Sequence, residues 1–192
     1  MIGKEKYKIG KLMGISTLIL GLGDAFHLVP RMLNYFIDKD FTFYLGLGKL
    51  ITSITMTIFY LFIYYIYVLD YKADENKKES IVVWLLAITR IILCLFPQNN
   101  WFTNDSPLLW GIIRNIPFLL LGITIIVFYF KNRESDQSFK FMYLLIGLSF
   151  LFYIPVVVGA EEIPMLGMLM LPKTICYVLM IVSFLVKVKK GE

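Results

Sequence analysis

Two windows of this chain, Leu50–Leu69 and Phe141–Ala160, run 20 residues each without a charge. At 1.5 Å per residue, a helix of that length crosses a hydrocarbon core of about 30 Å. Four other apolar stretches are long enough but interrupted: 9–33 by Asp24, His27 and Arg31, 80–97 by Arg90, 107–130 by Arg114, and 163–186 by Lys173. The connections leave no room for another domain. The pattern predicts an all-α, polytopic membrane protein, with residues 1–192 as one integral membrane domain of six transmembrane helices. The first stretch has no small-residue cleavage site and carries charges in its distal half, so it reads as a retained span and not a signal peptide.

The interruptions are spaced. Apolar stretches end near Pro30, Pro97 and Pro155, and Lys49, Arg114 and Lys173 follow at 19, 17 and 18 residues. Side-chain identity is low, so the repeat rests on spacing, proline and charge sign. It predicts three pseudo-repeated helical hairpins, with units of approximately 9–71, 80–131 and 141–187. A cation inside a bilayer costs about 3 kcal/mol on insertion scales, so three at matching positions need a common cause.

Composition agrees: 58% hydrophobic, 17% charged and 16% aromatic is a membrane-protein profile. Thirteen of the 19 Lys/Arg fall in four segments on one side, at Lys4–Lys11, Lys72–Lys78, Lys131–Lys140 and Lys187–Lys190. The other side holds Arg31 and Lys39 against Asp38, Asp40, Asp105, Glu161 and Glu162. The positive-inside rule then puts both termini in the cytoplasm, with the plasma membrane as the expected location. The net charge of +5 follows from loops that touch anionic headgroups, not from a nucleic-acid partner. Cys94 and Cys176 lie in apolar helices and read as buried small residues.

Helical phase decides which interruptions can meet. Asp24, His27 and Arg31 stand at i, i+3 and i+7 and share one face. Lys49, Thr52, Ser53, Tyr60 and Tyr64 share a face of the second helix; Lys173, Cys176, Tyr177 and Met180 share one of the sixth. These polar stripes are expected to point inward. The expected binding cluster is Asp24, His27, Arg31, Lys49, Arg90, Arg114 and Lys173. It lies in the outer half of the membrane above an apolar floor, with Arg90 deepest. Five cations face one carboxylate there. Glu161 and Glu162 of the last outer loop would still leave an excess of two positive charges, which invites an anion or a lipid headgroup.

Other chemistry is poorly served. His27 is the only histidine, so a three-histidine zinc site and bis-histidine haem are excluded, and no metal or cofactor is expected. Gly21-Leu22-Gly23 and Gly46-Leu47-Gly48 precede no phosphate-loop pattern and read as close-packing positions. Asp24 and His27 could form an acid/base couple, with the carboxylate setting the imidazole tautomer. The three-hairpin layout resembles that of mitochondrial carriers, but their proline–acid–base signature is missing after Pro30, Pro97 and Pro155. Six helices with cytoplasmic termini resemble the substrate-capturing subunits of energy-coupling-factor transporters, without the small-residue Ala-x-x-x-Ala signature of their first helix. Neither likeness assigns a family.

The leading expectation is a membrane binding or transport protein with an outward-facing charged pocket for a small anionic or zwitterionic ligand. The alternatives are a lipid-modifying enzyme using Asp24 and His27, and an accessory subunit whose charges pair internally beside a partner membrane protein. The balance leans away from an enzyme. Membrane lipids are expected partners in every case.

Overall fold

The computed structural model describes residues 2–37, 40–71, 77–103, 107–159 and 163–190, without the side chains of 2–6, 35 and 164. Asp38, Lys39, Lys72, Asp105, Glu161 and Glu162 lie outside the described residues. The elements are α1 (Ile2–Phe36), α2 (Thr42–Asp70), α3 (Lys77–Leu95), α4 (Leu108–Lys131), α5 (Met142–Gly159) and α6 (Met170–Lys190), with 3-10 turns at Pro97–Asn99, Trp101–Thr103 and Pro164–Leu169. At the start of α2, the Thr42 N–H donates to Asp40 Oδ1 at 2.8 Å. Thr42, through its hydroxyl and then this N–H, holds the exposed Asp40 carboxyl below its ordinary pKa.

Five helices are long and apolar enough to cross a membrane by themselves. Helix α3 joins them only together with Pro97–Thr103, from which it is bent by 70°. The protein is therefore a multi-pass helical bundle of five spans, or six with the bent pair counted as one. The bend has a local cause. Pro97 cannot continue the ladder of α3, and Asn100 adopts the left-handed conformation (φ 48°), which asparagine tolerates better than most residues.

The other prolines depart from the expected pattern. Pro30 and Pro155 lie inside α1 and α5, and the helices continue to Phe36 and Gly159; Pro117 lies inside α4. Of Pro30, Pro97 and Pro155, only Pro97 stands at a helix end. Helix-interior proline is tolerated in membrane spans because neighbouring helices satisfy the freed carbonyl. Lys49, Arg114 and Lys173 do fall at matching places, each within the first eight residues of α2, α4 and α6.

Successive helices pack on one another, and α1 also meets α6. Helix α2 is the hub. Its Tyr60 hydroxyl pairs with Ser149 Oγ of α5 at 3.1 Å, Phe59 meets Tyr177 of α6, Tyr64 meets Phe128 of α4, and Tyr65 accepts from Trp84 Nε1 of α3 at 3.0 Å. Lipid tails are as apolar as leucine, so burial alone does not drive these contacts; packing and interhelical hydrogen bonds do. Close approach needs small residues. A Cβ at Gly48 would strike the Phe26 carbonyl of α1, and one at Gly46 would strike the Trp101 carbonyl. Thr52 Oγ1 seals the α1–α2 crossing by donating to Gly23 O at 2.8 Å.

The end of α2, the α4–α5 connection and the end of α6 meet at one end of the bundle. There Lys187 of α6 meets Asp70 Oδ1 at 2.7 Å and Asp136 Oδ2 at 2.9 Å, with all three side chains under 9% exposed. Asp136 Oδ1 also accepts from the Ser138 N–H at 2.7 Å. Burial, and then Asp136 and Asp70, push the neighbouring Tyr71 phenol well above its ordinary pKa.

Candidate functional site

At the opposite end, a cavity of about 320 Å³ opens among the helices, and all six contribute to its wall. Helix α1 brings His27 and Arg31, α2 brings Lys49, Thr52 and Ser53, and α3 brings Arg90. Arg114 and Asn115 come from α4, Tyr153 from α5 and Lys173 from α6, with Trp101 from the turn after α3. Six of the seven residues of the expected cluster therefore meet here. The seventh, Asp24, does not line the cavity, although it lies within electrostatic range of Lys173. Asp24 lies one turn nearer the start of α1 than His27. Among the described residues the wall holds five Lys/Arg and no carboxylate.

Arg90 is the most buried of the five cations, at 1% exposed. Its Nη1 donates to Asn115 Oδ1 at 2.9 Å and, longer, to the Arg114 carbonyl at 3.4 Å. Its guanidinium lies 3.6 Å above the Phe118 ring, and its buried Nε has no hydrogen-bond partner. Asn115 is the organiser: the same Oδ1 accepts from the Tyr153 hydroxyl at 2.9 Å, while Nδ2 donates to Gly111 O at 2.7 Å. Below lies the apolar floor, where Phe118 packs on Phe150 at 4.9 Å and on Tyr60 at 5.1 Å between centroids.

Arg114 is held from the side. Its Nη1 donates to Asn99 Oδ1 at 2.7 Å and its guanidinium lies 4.3 Å from the Trp101 ring centroid. The bent turn presents both partners. Asn99, fully buried, ties itself to the end of α3 by donating to Leu93 O at 2.8 Å and Phe96 O at 2.9 Å; Trp101 Nε1 donates to Cys94 O at 2.8 Å. Lys173 is buried, with its ammonium 4.2 Å from the Tyr153 ring and 5.5 Å from the Tyr177 ring. Neither Arg90 nor Lys173 has a carboxylate within 4.0 Å among the described residues.

The acid/base couple is not assembled. His27 Nδ1 is buried without a hydrogen-bond partner, and the charges acting on the ring are the cations Arg31, Lys49 and Lys173. The Asp24 carboxylate therefore does not set its tautomer here. The side chains that frame the cations, Asn99, Trp101, Asn115, Phe118 and Tyr153, were not anticipated. A signal existed: Asn115 is an amide beside Arg114 inside an apolar span, and Tyr153 is a hydroxyl in a stretch without charges.

Among the described residues no cluster of three or more His, Cys, Asp or Glu side chains is placed to hold a metal ion. Cys94 and Cys176 are free and buried. No family model, curated protein or solved structure matches the chain.

Proposed function

We propose that the protein binds or transports a small anion through the cavity between its helices. The observation that supports this reading is the wall itself: five cations, a histidine and no described carboxylate around about 320 Å³. That volume is at the lower end for small-molecule sites and suits a compact headgroup-sized ligand. A buried cation without a countercharge carries a desolvation cost of several kcal/mol, which an anionic ligand would offset. Arg90, Arg114 and Lys173 are the anion contacts in this reading, with Thr52, Ser53 and Asn115 beside them. No described acid on the wall meets an amine, so an anion is preferred to a zwitterion. The enzyme alternative loses its support with the unformed Asp24–His27 couple.

In purified protein at fixed ionic strength, inorganic phosphate or glycerol phosphate should raise the melting temperature where chloride does not. The Lys173→Gln and Arg114→Gln variants should fold and lose that rise. A response retained in both variants, or none in the unmodified protein, would reject anion binding.

The reading places the cavity in the outer half of the plasma membrane, with both termini cytoplasmic, because the Lys/Arg excess lies at the opposite end. A cysteine introduced at exposed Gln98 should react with an impermeant maleimide added outside cells, and one at exposed Ser135 should not. The native Cys94 and Cys176, both buried, should contribute little background. Reversed labelling would invert the orientation.

A further inference from the structure

A second opening adjoins the cationic cavity. It is a slot of about 110 Å³ between α4 and α5, and its lining exposes no polar surface. Asn115, Phe118, Tyr153 and Val157 belong to both walls, so the slot and the cavity share a partition. The far side of the slot is built by Ile112, Ile116, Ile154 and Val158, which are 37–52% exposed on the outer surface of the bundle. On a membrane-spanning segment that surface faces lipid tails. Only the Phe118 and Tyr153 rings, with Asn115 and Val157, thus stand between the guanidinium and ammonium groups and the hydrocarbon.

We infer that the anion is the headgroup of an amphiphile: a lipid phosphate whose phosphate sits among Arg90, Arg114 and Lys173 while its acyl chain leaves through the α4–α5 slot. The inference rests on the anion-binding reading and names its ligand class. Three features support it. The cavity is polar and cationic, whereas the slot beside it exposes only apolar surface, which matches the two ends of a lipid phosphate. Arg90 lines the cavity over Phe118 of the partition and has no carboxylate within 4.0 Å among the described residues, so a cation without a countercharge stands there for a phosphate oxygen. The partition itself is aromatic: Phe118 lies under Arg90 and meets Tyr153 edge-on at 6.1 Å, so rings without formal charge separate the cations from the slot. A soluble anion would need only the cavity and would leave the slot without a role.

The test compares three probes on purified protein by competition or native mass spectrometry: a lysophosphatidic acid, glycerol phosphate with the same headgroup and no chain, and a lysophosphatidylcholine of the same chain. The lysophosphatidic acid should bind at least tenfold more tightly than the other two. Ile116→Trp and Val158→Trp fill the slot from its lipid side, and neither position is itself part of the cavity wall. Each should reduce lysophosphatidic acid to the affinity of glycerol phosphate and leave glycerol phosphate unchanged. Lys173→Gln should weaken both phosphates. Equal affinity of the two phosphates in the unmodified protein, or slot variants that still prefer the lipid, would overturn the lipid inference while anion binding stands. A chain preference shared by the phosphocholine lipid would reveal micelle partitioning and also overturn it. Failure of every phosphate to bind would bring down the anion-binding reading itself.

Discussion

Lys187→Met is expected to destabilise the protein by about 3–5 kcal/mol, the usual result of stranding buried charge by removing its partner. The ammonium lies between Asp70 and Asp136, at 2.7 and 2.9 Å, and each of these side chains is almost wholly buried. Without it two carboxylates share one site. The three residues come from the end of α2, the α4–α5 connection and the last turns of α6, so the loss would loosen three parts of the bundle together. Asp70→Asn separates this account from simple loss of a contact. It retains an oxygen acceptor for the lysine and leaves a one-to-one pair with Asp136, so it should cost no more than about 1.5 kcal/mol. Unfolding in mixed detergent, followed by circular dichroism, reads both. Similar losses for the two variants would show that the lysine is not balancing a pair of acids.

That network was invisible in the chain pattern. Lys187 stands with Lys189 and Lys190, and a basic run after an apolar stretch reads as a solvated cytoplasmic end. Asp70 and Asp136 are 66 residues apart in the sequence and neither belongs to a motif. Only the packing of α6 against the ends of two distant elements brings them to one lysine.

The other end was far more legible. The i, i+3, i+7 and i, i+3, i+4 spacings put His27 with Arg31, and Lys49 with Thr52 and Ser53, on the faces that line the cavity. The reason is physical: in a bilayer, charge and hydroxyl have few places to go other than the bundle interior, so phase alone orients them. Phase could not show that Asp24 falls outside the cavity, because it fixes the direction of a side chain around the helix and not how far along the helix the cavity extends. It also could not show that the stretch after Pro97 turns back. The left-handed Asn100 and the Trp101 bond to the end of α3 re-aim the chain, and with it the Asn99 partner of Arg114. Proline was the weaker signal. Pro30 and Pro155 look like helix ends, yet both helices run on past them, as membrane spans tolerate.

The two ends of the bundle differ in how their charge is matched, and this sets the contrast for Arg90. Arg90→Met should leave the unliganded fold within about 1 kcal/mol of the unmodified protein, since exchanging a buried ion for an apolar side chain of similar length is often neutral or stabilising. Two losses oppose the relief of desolvation: the donation to Asn115, worth about 1.5–3 kcal/mol for a charged group, and the stacking on Phe118, worth roughly 2 kcal/mol when buried. No acceptor on Asn115 is orphaned, because its Oδ1 keeps the Tyr153 hydroxyl. The bound state should behave differently. An anion at a hundred times its dissociation constant adds about 2.7 kcal/mol of stability to the unmodified protein, and the variant should show close to none of it. Melting curves with and without glycerol phosphate, recorded at constant ionic strength, give both quantities from one preparation. A variant that loses several kcal/mol without ligand, as Lys187→Met should, would identify Arg90 as half of a structural pair. A variant that is intact and still fully responsive would remove Arg90 from the site.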